Sequence, residues 1–186
     1  VARPKGSDNK ARERLLEAAG RGFRVGGYGG IGVDGLAKEA GLTSGAFYSY
    51  FGSKAEAFKV ALIDGLGVLR AGIGRIRTQS PDAWQKVFVD FYLNDRMQVD
   101  LAESCALPTF MGDAARADPE TREAYSAEII RLRDEMAQSL SGDDREHRAL
   151  VLMSLLAGGA GLARAVNDPD LRGAILAAVA DAAKKI

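Results

Sequence analysis

The 186-residue chain predicts an all-α fold, and three observations predict it. Apolar residues recur at i, i+3 and i+4 through most of the length, and no stretch alternates with the period of a strand. The breaks between these stretches carry helix punctuation: glycine where a helix ends, and Ser, Thr or Asp (twice with Pro) where the next begins. Composition is globular, with 47% hydrophobic and 27% charged residues and no repeat or low-complexity tract. The pattern divides into about nine helices, three of them in a head over residues 1–54 and the rest in a body over residues 55–186.

Taken in order, residues 1–7 read as a basic arm with Arg3 and Lys5. A helix over 8–24 follows, its buried stripe made by Leu15, Ala19 and Phe23. Lys10, Arg12 and Arg14 near its start either reach phosphates or solvate an exposed face. Residues 26–32 (GGYGGIG) contain a formal G-x-G-x-x-G at Gly27, Gly29 and Gly32. A dinucleotide site needs a strand before that motif, and an amphipathic helix precedes it here, so the segment reads as a loop.

Residues 31–62 organise the rest. Leu36, Ala37 and Ala40 give a short helix an apolar face, and Gly41 ends it. Thr43 is placed to cap a second short helix over 44–50, which turns Phe47 and Phe51 to one side and Tyr48 and Tyr50 elsewhere. Gly52 breaks that helix, and Ser53-Lys54-Ala55-Glu56 forms a capping box for the third. Two short helices about a glycine turn, the second presented outward, are the helix-turn-helix plan for placing a helix in the major groove of DNA.

At these residues the run AGLTSGAFYSYFGSKAEAF resembles the DNA-binding signature of the TetR family of transcriptional regulators, through Gly41, Gly45, Phe47, Tyr48, Phe51, Lys54 and Phe58. Two positions depart from the family pattern: Tyr50 stands where histidine is common, and Gly32 stands where Ser or Thr often caps the first short helix. The resemblance implies a homodimeric repressor that binds a palindromic operator in double-stranded DNA and is released by a small-molecule effector. It implies DNA contacts at Thr43, Ser44, Gly45, Tyr48, Tyr50 and Lys54. Of these Thr43, Tyr48 and Lys54 would reach phosphate, and Ser44 and Gly45 would lie nearest the bases.

The body continues from the capping box. A helix over 54–77 carries Phe58, Leu62, Leu66, Leu69, Ile73 and Ile76, with Gly65, Gly67, Gly72 and Gly74 each weakening it by about 1 kcal/mol relative to alanine. A kink or break is expected there. Ser80-Pro81-Asp82 starts a helix bearing Trp84, Phe88, Phe91 and Tyr92, and residues 95–103 read as a loop. Helices over 106–116 and 118–140 follow, the latter opened by Asp118-Pro119-Glu120. The last two, over 145–166 and 170–185, are apolar on more than one face and rich in small residues. Such helices must be buried on more than one face, so residues 145–185 are expected to pair with a second copy.

Charge is distributed to match. Residues 1–60 hold 10 Lys/Arg against 6 Asp/Glu, and residues 61–186 hold 15 against 19, so a zero net charge conceals +4 on the head and −4 on the body. Cys105 is the sole cysteine, which excludes an internal disulfide and favours a cytoplasmic setting. No signal peptide is expected, and the longest uncharged stretch, 149–163, is short for a membrane span.

No catalytic constellation is legible. His147, the one histidine, sits in a charged run (DDREHR), and neither a zinc-ligand cluster nor a nucleophile elbow is present. A non-enzyme without metal or cofactor is expected. The aromatic and methionine residues Trp84, Phe88, Phe91, Tyr92, Phe110, Met111, Tyr125 and Met153 read singly as core. By the family resemblance they line an effector cavity suited to a small apolar or aromatic molecule. Cys105, near a helix start, has two readings: a thiol sensor activated by the helix dipole, or a buried structural cysteine. The alternative to a regulator is a helical small-molecule-binding or interaction protein that does not bind an operator.

Overall fold

The computed structural model describes residues 5–186, and the fold is all-α. The expected basic arm lies outside the described residues at Arg3 and at the Lys5 side chain. The described helices are α1 (Lys5–Gly30), α2 (Val33–Glu39), α3 (Ser44–Phe51), α4 (Lys54–Gln79), α5 (Trp84–Leu93), α6 (Asp95–Gln98), α7 (Ala106–Arg116), α8 (Pro119–Ala137), α9 (Arg145–Ala165) and α10 (Pro169–Ala183), with a 3₁₀ turn at Leu101–Glu103 between α6 and α7.

The head closes around Leu15, Phe23, Leu36, Phe47, Phe51 and Phe58, all buried. Gly41 and Gly52 stand at φ 67° and 66°, the left-handed region that admits glycine without strain. Thr43 caps α3 by accepting the Ala46 N–H at 3.2 Å, and Ser53 caps α4 by accepting the Glu56 N–H at 3.0 Å. The reciprocal half of the capping box is not made: the Glu56 carboxylate pairs instead with Lys59.

Four expectations are corrected. The glycine segment is not simply a loop: α1 runs on to Gly30 and is interrupted only at Gly27 (φ 66°, ψ 175°). Helix α4 does not break, because α1, α5, α7 and α8 pack along it and outweigh the weak propensity of its glycines. Residues 95–103 hold α6 and the 3₁₀ turn, short elements whose periodicity is too brief to read. Ser80-Pro81-Asp82 forms a turn, closed by the Ala83 N–H on the Ser80 carbonyl at 3.2 Å, and α5 begins only at Trp84.

Helix α4 belongs to head and body alike. It packs on α1 and α3 of the head and on α5, α7 and α8 of the body. Among the described residues α9 alone is long and apolar enough to cross a membrane by length and composition. It packs here on α5, α7, α8 and α10. Gly159 permits the α9–α10 approach, since a Cβ there would lie 2.6 Å from the Val179 side chain.

Candidate functional site

The outward face of α3 carries the first site. Phe47 and Phe51 anchor the helix from below, their rings 5.5 Å apart, while Tyr48 is 53% exposed with its ring edge-on to Phe47. Gly45 is exposed, and a Cβ there would meet nothing nearer than the Thr43 hydroxyl at 3.8 Å. Thr43 is exposed as well; its oxygen accepts the cap bond, which leaves the hydroxyl proton available to an outside acceptor. Thr43, Gly45 and Tyr48 thus share one open surface.

The other three proposed contacts are more engaged. The Ser44 hydroxyl donates to Asp34 of α2, a bond that ties the two short helices together. Tyr50 is half-buried against the core. Lys54, the first residue of α4, holds its ammonium 4.7 Å from the Tyr28 ring centroid, a cation–π contact. Arg12 and Arg14 are exposed on α1, and the Arg12 guanidinium lies 5.9 Å from the Phe51 ring centroid.

Tyr28 also joins head to body. Its backbone N–H, freed by the break at Gly27, donates to the Asp113 carboxylate of α7 at 2.7 Å. Its ring packs against Phe23 and Phe58.

The second site is a cavity of about 350 Å³ in the body, within the usual range for small-molecule sites. Helix α4 supplies one wall through Gly65, Leu69, Gly72 and Ile76, and α5 supplies another through Phe88, Phe91 and Tyr92. The remaining boundary is polar: Arg24 of α1, Arg75, Arg96, Glu103, Ser104 and Cys105. Val68, Arg75, Phe91 and Glu103 are exposed and form the rim, whereas Gly65, Tyr92 and Ser104 are buried.

Only three of the eight aromatic and methionine candidates line this cavity: Phe88, Phe91 and Tyr92. Trp84 is buried and directs its indole N–H to the Ser139 carbonyl beyond α8, at 2.9 Å. Phe110 is buried behind the cavity, edge-on to Phe58 and under the Arg24 guanidinium. The next residue, Met111, therefore faces out and is 47% exposed. Tyr125 is half-buried against the core, and Met153 is buried in α9. The polar residues were missed because Arg24 stands at a helix end, where a charge reads as solvated, and Arg96 and Glu103 stand in a segment read as loop.

Cys105 borders the cavity just before α7, where a helix dipole would lower its pKa. The larger effect runs the other way. Burial pushes the thiol up, against smaller downward contributions from the Tyr92 hydroxyl, the Leu107 N–H and the two arginines Arg96 and Arg24. A thiol held protonated is a poor nucleophile, so the environment favours the structural reading of this cysteine over an activated one. Among the described residues, no group of three or more His, Cys, Asp or Glu side chains is placed to hold a metal ion.

Residues 15–61 match the sequence model of bacterial regulatory proteins of the TetR family. No curated protein sequence matches the chain. Solved structures share its fold over nearly the whole length. A TetR-family transcriptional regulator from Cytophaga hutchinsonii is 16% identical with a TM-score of 0.80, covering 99% of this chain and 98% of its own. E. coli NemR in its reduced form is 20% identical with a TM-score of 0.76, covering 92% and 96%. Regulatory protein TetR from Rhodobacter sphaeroides is 18% identical with a TM-score of 0.76, covering 94% and 97%. The head over residues 15–61 is thus similar in sequence to TetR-family regulators, and the all-α fold is shared from end to end with solved structures of that name.

Proposed function

We propose that the protein is a homodimeric repressor that binds a two-fold operator through α3 and releases it when a small effector enters the body cavity. The observation that carries this reading is the division of α3 into a buried side, Phe47 and Phe51, and an open side bearing Thr43, Gly45 and Tyr48. Buried anchors fix the helix while its polar face remains free for a major groove. Residues 1–54 act as the DNA-binding part and residues 55–186 as the effector-binding and dimerising part, with α4 passing between them.

Dimerisation through 145–185 is supported by the outer face of α9 and α10. Leu150, Val151, Leu162 and Leu171 are exposed there. A Cβ at Gly158, Gly161 or Gly173 would meet nothing within 4 Å, so a second backbone has room to approach. A two-fold dimer would set its recognition helices about 34–36 Å apart, one turn of DNA.

The effector is placed in the cavity between α4 and α5, which Phe88, Phe91 and Tyr92 line and Trp84, Phe110 and Tyr125 do not. A ligand there touches α4 along Gly65 to Ile76 and touches α1 at Arg24. Differential affinity of about 1–3 kcal/mol between the two states would weaken operator binding roughly 5–150-fold.

Selection from a random duplex pool, followed by sequencing of what the protein retains, tests the reading. Sequences with two half-sites one helical turn apart are expected. Retention of no duplex at low salt would leave the alternative, a helical small-molecule-binding protein without an operator.

A further inference from the structure

The chemical class of the effector is legible in the cavity, given that the cavity is the effector site. Three guanidinium groups border it, those of Arg24, Arg75 and Arg96, against one carboxylate, Glu103. That carboxylate already forms an ion pair with Arg21, which also reaches Glu39. None of the three cavity arginines has an ion pair among the described residues.

Near Cys105 the cavity lining holds two hydrogen-bond donors that lack an oxygen or nitrogen acceptor. The Arg24 Nε is buried without a partner, and so is the Tyr92 hydroxyl. Tyr92 is 3% exposed and lies beside the Cys105 thiol, whose sulfur is a poor acceptor. Burial followed by the Cys105 neighbour raises the Tyr92 pKa well above its ordinary value, so the phenol keeps its proton to donate. Burial likewise lowers the Arg24 pKa, yet a guanidinium remains charged near neutrality. A guanidinium Nε buried without a partner and a buried phenol without an oxygen acceptor are each costly, and one anionic oxygen pair would satisfy both.

Leu69, Ile76, Phe88 and Phe91 give the cavity its apolar surface. We propose that the cavity takes a small organic acid, its carboxylate held by Arg24 and Tyr92 and its aliphatic or aromatic body lying between α4 and α5. This sharpens the apolar or aromatic effector expected from sequence by adding an obligatory charged end. It also gives the ligand a direct hold on α1, because Arg24 belongs to the helix that carries Leu15 and Phe23 into the head core.

Two matched series on the full-length protein test the proposal: 4-phenylbutyrate, its amide and the corresponding amine, and octanoate, its amide and the corresponding amine. Binding is measured by calorimetry, supported by ligand-observed NMR. Each acid should bind at least about tenfold more tightly than its amide, and the amines should not bind. Arg24→Gln and, separately, Tyr92→Phe should bring the acid-to-amide ratio towards one, whereas Arg24→Lys should keep part of it. Thermal melts establish that the variants fold, and Arg122→Gln, exposed on α8 and outside the cavity lining, should keep the full acid preference. Amides binding as tightly as acids, or folded Arg24→Gln retaining the full preference, would overturn the acid proposal while leaving the cavity as an effector site. No binding by any of the six compounds at millimolar concentration would overturn the effector reading of the cavity with it.

Discussion

Gly65 and Gly67 sit two residues apart in α4 and should respond oppositely to the same methyl group. A Cβ at Gly65 would lie 2.6 Å from the Ala106 Cβ of α7 and 3.0 Å from the Arg24 guanidinium, while at Gly67 it would meet nothing within 4 Å. Either substitution removes the glycine penalty and should gain about 1 kcal/mol of helix propensity. At Gly67 that gain stands alone. At Gly65 the α4–α7 crossing must open, and overpacking of a close-packed contact costs about 1–3 kcal/mol. Gly65→Ala should therefore range from neutral to about 2 kcal/mol destabilised, placing the two variants about 1–3 kcal/mol apart. For a chain of this size each kcal/mol moves Tm by about 2–4 °C. Urea denaturation and thermal melts at one fixed protein concentration would measure the gap, since dimerisation would make stability concentration-dependent. Equal stabilisation by both substitutions would refute the close crossing and, with it, the wall that Gly65 gives the cavity.

Other expectations follow from the same geometry. Lys54→Ala should weaken binding to all DNA sequences and reduce the salt slope by about 0.9 if one phosphate contact is lost. It should also cost about 0.5–1 kcal/mol of stability through the Tyr28 contact, so DNA titrations at several salt concentrations need a melt beside them. Unchanged affinity and slope would remove Lys54 from the interface. Leu162→Glu, at a side chain 61% exposed in one subunit, should leave helicity intact and shift sedimentation from twice the chain mass to the chain mass. Lys59 is pushed up to about 12 by hydrogen bonds to Glu120 and then Glu56. A raised lysine pKa contributes stability that is fully present below the unfolded value, near 10.5, and is lost as pH rises through the folded one. Lys59→Met should thus flatten the wild-type decline in stability above about pH 10, seen by urea titration across that range.

The head was legible in the sequence because each of its devices is local. Thr43 and Ser53 cap over three residues, Gly41 and Gly52 turn within one, and Phe47 and Phe51 share a face by spacing alone. The cavity was not, because it is made where α1, α4, α5 and the residues around 103–105 cross. Arg24 looks like any charge at a helix end until that crossing buries its Nε. Trp84 and Phe110 have the composition of lining residues, yet packing turns one to Ser139 and the other against Phe58. The glycines of α4 were weighed as weak points of an isolated helix, whereas in the fold Gly65 is a contact surface.

The Tyr28–Asp113 bond bears on how such proteins can be recombined. A chimaera joined at Lys54, taking its head from one regulator and its body from another, would split that bond between two parents. Tyr28 contributes only a backbone N–H, so its own side chain is replaceable for this purpose. Gly27 is not: its φ of 66° creates the break that exposes the N–H, and a Cβ there would sit 3.2 Å from the Asp113 carboxylate. A guest head whose first helix runs unbroken through this position would leave the Asp113 Oδ2 facing the joint without the Tyr28 N–H, while Oδ1 keeps Arg116. A transplant of this head, or of this body, therefore has to carry Gly27 and Asp113 as a pair, although 86 positions separate them in the sequence.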